Sequence, residues 1–151
     1  MNDTTFIKVA FFDLGGTLIG NDRHWIPGAQ ETLARLSEKQ VRLGIISNTS
    51  TLSRPEILEL LPEDLDLGIF EEGLIIFSSE VHFAKPNPKI FQLAIERAGV
   101  QPAKCLFCTE ESSHLLAARQ EGMETARVGP APGYDIGELV DVLVNRSLLP
   151  G

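Results

Sequence analysis

Four groups of polar residues stand directly after apolar runs, and their types together suit the movement of a phosphoryl group. Asp13 ends the run Phe6 to Phe12, and Ser47, Asn48 and Thr49 end the run Val41 to Ile46. Lys85-Pro86-Asn87-Pro88 lies beyond Leu74 to Phe77, and Glu110, Glu111 and His114 follow Cys105 to Cys108. Asp13 offers a carboxylate nucleophile, Ser47 and Asn48 a hydroxyl and an amide, Lys85 a cation, and the acidic pair an oxygen for a metal. Phosphoryl transfer needs little beyond such positioning and charge neutralisation.

The elements that must hold these residues alternate along the chain. Each apolar run reads as a buried strand, and each is followed by a helical pattern. The helices are expected over Ala29 to Lys39, over Ile57 to Leu61 before Pro62, and over Ile90 to Ala98 before Gly99. A fourth follows Thr109 to Ser113 and runs through Gln120 to Gly122. A short strand near Thr125 to Val128 and a helix near Ile136 to Asn145 close the pattern. Strands alternating with helices at this spacing predict a parallel α/β sheet covered on both faces. In such sheets a ligand lies beyond the carboxyl ends of the strands, where all four polar groups fall.

Composition narrows the functions. The 151 residues are 43% hydrophobic and predict a single domain spanning 1–151. Thirteen basic against 21 acidic residues give a formal charge of -8, which argues against nucleic acid as a partner. Met1 to Thr5 lack the basic start and apolar run of a secretory signal, and no stretch is long enough to span a membrane, so a soluble cytoplasmic protein is expected. Cys105 and Cys108 fall on opposite faces of one strand and read as core residues rather than a redox or zinc pair.

In its motifs the chain resembles the haloacid dehalogenase superfamily from about Val9 to Val128. The carriers are Phe11-Phe12-Asp13-Leu14-Gly15-Gly16-Thr17-Leu18, then Ile45-Ile46-Ser47-Asn48, then Lys85-Pro86-Asn87-Pro88 with Ile90-Phe91, and last Leu106 to Met123. The resemblance implies a Rossmann-like three-layer sandwich with about five parallel strands in the order 5-4-1-2-3. It implies that Asp13 attacks phosphorus, that Ser47, Asn48 and Lys85 hold the phosphoryl group, and that magnesium sits on Asp13, the Gly15 carbonyl and Glu110. About 34 positions from Asp13 to Ser47 and about 38 from Ser47 to Lys85 leave no room for a cap domain. Capless members act on large substrates or cover the site by oligomerising, so the loop Ile19 to Ile26, with Arg23, His24 and Trp25, is a small flap or a subunit contact.

Three places depart from the family pattern. Where its phosphatases carry a second aspartate as general acid and base, this chain has Gly15; such catalysis typically contributes about 100- to 10,000-fold. Thr109-Glu110 replaces the usual Gly-Asp pair, and His114 stands where a later aspartate is expected. Glu110 can still offer magnesium an oxygen, Glu111 could substitute, and imidazole suits other metals better. Helix-dipole complementation explains Glu110 and Glu111 equally well, and His114 reads as an ordinary residue of a first helical turn.

Two functions follow. One is a slow magnesium-dependent phosphatase or phosphotransferase working through an aspartyl-phosphate at Asp13 on a small phosphorylated molecule or a phosphoprotein. It turns over without the missing acid, or recruits another base such as His24. The other is an inactive pseudophosphatase that binds a phosphate ligand or a protein.

Overall fold

The computed structural model describes residues 6–151; the polar stretch Met1 to Thr5 lies outside them. Five parallel strands, β1 (Val9–Phe12), β2 (Arg42–Ser47), β3 (Ile75–Phe77), β4 (Cys105–Thr109) and β5 (Glu124–Arg127), form one sheet in the order β3-β2-β1-β4-β5. This is the expected order 5-4-1-2-3 read from the other edge, and the architecture is Rossmann-like. β1 is central, which puts Asp13 at the switch in strand order.

Alternation along β1 and β4 divides the core. Ala10, Phe12, Leu106 and Cys108 face one side, where α1 (Ala29–Glu38) and α6 (Leu139–Asn145) pack together. Val9, Phe11, Cys105 and Phe107 face the other, under α4 (Pro88–Ala98) and α5 (Ser112–Gln120). Both cysteines are free and buried on opposite faces, and burial pushes the Cys105 thiol up to about 11 and Cys108 higher still. Neither is a thiolate at neutral pH.

Local signals fix where the helices begin. α2 (Arg54–Glu59) starts three residues before the expected Ile57, because Ser53 accepts from the Glu56 amide while Glu56 reaches back to the Ser53 amide. Pro88 opens α4, capped by Asn87, and Gly99 ends it in a left-handed conformation. One turn went unforeseen, α3 (Ser78–Val81), which follows β3 where a loop was expected. The last helical segment divides into a 3-10 turn, Ile136–Glu138, and α6. Among the described residues no helix is long and apolar enough to cross a membrane.

Candidate active site

Parallel pairing delivers the four polar groups to one edge. Phe12 is in register with Ile45 on one side and Cys108 on the other, so Asp13 and Thr109, one residue beyond, and Ser47, two beyond, converge where the strands end. Asp13 carries the center. Its Oδ1 accepts from the Leu14 amide at 2.8 Å, and its Oδ2 lies 3.0 Å from Lys85 Nζ and accepts from the Thr109 hydroxyl at 3.4 Å.

Lys85 reaches Asp13 from beyond β3 with a side chain only 1% exposed, against 17% for Asp13. Its ammonium also stands 5.3 Å from the Phe107 ring center. Burial pushes the Lys85 ammonium below the usual lysine range, and the charges of Asp13 and then Glu111 offset part of that. A lysine so enclosed and aimed at a carboxylate is held for electrostatics.

Asn48 is committed to the backbone of Lys85. Its Oδ1 accepts from the Lys85 amide at 2.8 Å and its Nδ2 donates to the Lys85 carbonyl at 3.0 Å. Both ends of the amide group are thereby used on the lysine loop, and a phosphate-binding role for Asn48 acts through Lys85. Ser47 ends β2, buried, on the wall of a cleft that Gly15 also lines. The next residue, Thr49, ties this loop to α3: its amide donates to the Ser78 hydroxyl at 2.8 Å, and its own hydroxyl lies 2.8 Å from that of Ser79.

The fourth group divides. Glu111 has its amide on the Thr109 hydroxyl at 3.2 Å and its carboxylate within 3.4 Å of Ser113 Oγ. The carboxylate of Glu110 lies instead against Gly16 and Gly129, where an added Cβ on Gly16 would collide with it. Gly16 has φ +78°, a conformation that suits glycine. Among the described residues the Glu110 carboxylate has no hydrogen-bond donor and no ion-pair partner. A half-buried carboxylate without a protein donor, set against Gly16 in the turn that follows Asp13, has the chemistry of a cation ligand. No group of three or more His, Cys, Asp or Glu gathers among the described residues, so a metal here would lean on a backbone carbonyl, as the reading of Gly15 requires. Asp13, the Gly15 carbonyl and Glu110 are all oxygen donors, a set that fits magnesium.

His114 sits in the first turn of α5 with Nδ1 buried and unpartnered among the described residues. Its pKa is pushed below the usual histidine value first by burial, then by Lys85, against the pull of Asp13 and Glu111. His24 lies elsewhere, on the outer side of the Ile19 to Ile26 segment beside Asp22, Glu63 and Asp64. That segment is a closed turn: Ile19 bridges Trp25, Gly20 donates to the His24 carbonyl, Arg23 donates to the Glu59 carbonyl, and Trp25 Nε1 donates to Asp64.

Sequence reasoning missed Thr109 as a partner of Asp13, and missed that Asn48 grips Lys85. For Thr109 a signal existed. Parallel neighbours end together, so the last residue of β4 had to fall beside the first residue after β1.

Comparison with known proteins matches residues 21–108 to the haloacid dehalogenase-like hydrolases. That span holds Ser47, Asn48 and Lys85, and the geometry joins Asp13 to it through Lys85. The chain is 32% identical over 116 residues to the phosphoglycolate phosphatase of Escherichia coli K12, across 77% of this chain and 43% of that protein. It is 35% identical over 106 residues to the glyceraldehyde 3-phosphate phosphatase of Methanothermobacter thermautotrophicus, across 68% and 43%. The chain thus spans less than half the length of these curated relatives. A solved structure of a HAD family hydrolase from Deinococcus radiodurans R1, with bound phosphate and sodium, superposes with a TM-score of 0.75 at 16% identity, covering 97% of this chain and 99% of that one; this likeness is one of fold. With the strand order, the lysine-paired aspartate beyond β1 and the matched span in agreement, the chain belongs to the haloacid dehalogenase-like hydrolase family.

Proposed function

We propose that this chain is a slow phosphatase or phosphotransferase that forms an aspartyl-phosphate on Asp13. The observation that carries the reading is the 3.0 Å pair of Asp13 with the enclosed Lys85, beside Ser47 at the carboxyl ends of the strands. Asp13 Oδ2 attacks phosphorus as the leaving oxygen departs, and water later releases inorganic phosphate. Lys85 meets the charge on the equatorial oxygens from a dry position, where it is worth more than in water. Ser47 contributes a hydroxyl, and Thr109 and the Leu14 amide orient the carboxylate. Magnesium, held by Asp13, the Gly15 carbonyl and Glu110, would supply further neutralisation of the transferring group. Gly15 brings no acid to the leaving group and no base to the water, so both steps are slow.

Phosphatase activity of the curated relatives supports the class of reaction. A small phosphorylated molecule or a phosphoprotein is the substrate, in the cytoplasm, with homo-oligomerisation as a means of covering an open site. The loss of the acid at Gly15 and the histidine at 114 favour a second reading, an inactive pseudophosphatase that binds phosphate or a protein.

Aluminium fluoride or beryllofluoride with magnesium tests the proposal by melting shift and mass. Stabilisation that needs magnesium and disappears in Asp13→Asn is expected. No stabilisation at millimolar magnesium would overturn the enzyme reading and leave the pseudophosphatase.

A further inference from the structure

Beside the phosphoryl site the structure holds a cleft of about 280 Å³ between the Ile19 to Ile26 turn and α2. Gly15 and Ser47 form its inner wall, and Leu14, Ile19, Leu52, Ile57, Leu60 and Leu61 supply most of the rest. No carboxylate lines it, in a chain with 21 acidic residues. Arg23, whose guanidinium donates to the Glu59 carbonyl, pins the turn that closes the far side. A phosphoryl group held by Ser47 therefore has an apolar chamber as its neighbour, with room for about one ring.

Gly15 makes an independent argument about the same chamber. An added Cβ at Gly15 meets nothing within 4 Å, so the place where family phosphatases carry their acid is open space. Without a proton donor the leaving group must depart as an oxyanion. An aliphatic alkoxide, whose parent alcohol is about as weak an acid as water, leaves badly; a phenolate, whose parent phenol has a pKa of about 10, leaves far more readily without a proton.

Resting on the phosphatase reading above, we infer that the substrate class is aryl phosphate monoesters, whose ring fills the cleft lined by Leu52, Ile57, Leu60 and Leu61 and whose phenolate leaves unprotonated. The bond from Asp13 Oδ2 to phosphorus forms as the bond from phosphorus to the aryl oxygen breaks. The electron pair goes to the phenolate, which takes its proton from solvent. Water then attacks the aspartyl-phosphate and returns Asp13 and inorganic phosphate. Polar phosphorylated sugars and alcohols meet mainly leucine and isoleucine side chains there, with Asn21 and Arg23 at the turn and Asn48 and Thr49 beside Ser47, and they lack an adequate leaving group.

The test separates binding from turnover. Inorganic phosphate, methylphosphonate and phenylphosphonate, which cannot be hydrolysed, are titrated into wild type and Leu60→Asp by calorimetry; Leu60 is 49% exposed, so the variant folds. The cleft predicts phenylphosphonate binding about tenfold or more tighter than methylphosphonate, with that ratio falling toward one in Leu60→Asp. In parallel, phenyl phosphate and propyl phosphate are compared as substrates. An advantage in kcat/KM of at least about 100-fold for the phenyl ester is expected, shrinking in Gly15→Asp as the alkyl ester gains an acid. If phosphate binds but the phenyl ring adds nothing, the aryl inference fails and the phosphatase reading stands. If neither phosphate nor either phosphonate binds, both fail.

Discussion

Asn48 holds both backbone polar groups of Lys85, accepting from its amide at 2.8 Å and donating to its carbonyl at 3.0 Å. A side chain on the loop after β2 thereby imitates one rung of a strand ladder and fixes the start of the segment that aims the lysine at Asp13. The geometry gives Asn48 a positioning role.

Replacing Asn48 with alanine removes both bonds and leaves part-buried backbone groups unpaired, which costs about 1–3 kcal/mol. Aspartate can accept from the amide but cannot donate to the carbonyl, so Asn48→Asp should fall between wild type and alanine in urea unfolding. Equal stability of Asn48→Ala and wild type would remove the clamp from the account.

The pair of Asp13 and Lys85 predicts a change in pH dependence. Burial already sets the Lys85 pKa below its ordinary value of about 10.5, and Asp13 restores part of the difference. In Asp13→Asn that support is gone, and at neutral pH the loss of one partner of a mostly buried pair costs about 2–4 kcal/mol. The unfolded chain then binds the lysine proton more tightly than the folded one, so stability should climb as pH rises from neutral toward 10.5, more steeply than in wild type. Melting temperatures at pH 7, 8 and 9 read this slope; parallel curves for the two proteins would contradict the pairing.

His114 gives the opposite end of the scale. Its folded pKa is depressed, so as pH falls below about 6.5 the unfolded chain takes the proton first and stability is lost until the folded pKa is passed. His114→Gln should flatten the decline in melting temperature between pH 7 and 5.5. A decline of the same size in the variant assigns it to other groups.

Gly44 lies in β2 opposite Phe11, and a Cβ there would stand 2.7 Å from the Phe11 ring and 2.8 Å from Leu74 Cβ. Both neighbours are fully buried, so neither can yield cheaply. Gly44→Ala is expected to lower unfolding free energy by about 1–3 kcal/mol through overpacking, in denaturant titration. A stabilised variant would mean that the sheet shifts freely at this position.

The order of elements was legible because it depends on local sequence, and the same reading named Asp13, Ser47 and Lys85, which the fold brings to one sheet edge. Apolar runs of strand length ending in Asp13, Ser47 and Thr109 set the strands and their carboxyl ends. Gly99 marked the end of α4, and Ser53 with Glu56 carried a start for α2 that the apolar pattern from Ile57 does not show. α3 was hidden because its one turn, Ser78–Val81, is held from outside by Thr49, thirty residues away in the chain.

The sequence by itself determined the alternating strand and helix pattern, the place of Asp13 at the end of the first strand and the absence of an acid at Gly15, since periodicity and residue identity are local properties. Only the tertiary structure decided that Asn48 turns its amide to Lys85, that Glu110 lies against Gly16 while Glu111 follows Thr109, and that Leu52, Ile57, Leu60 and Leu61 meet the Ile19 to Ile26 turn in one cleft. These depend on where side chains distant in sequence meet. The packing of the whole sheet and its loops sets that, and no local pattern encodes it.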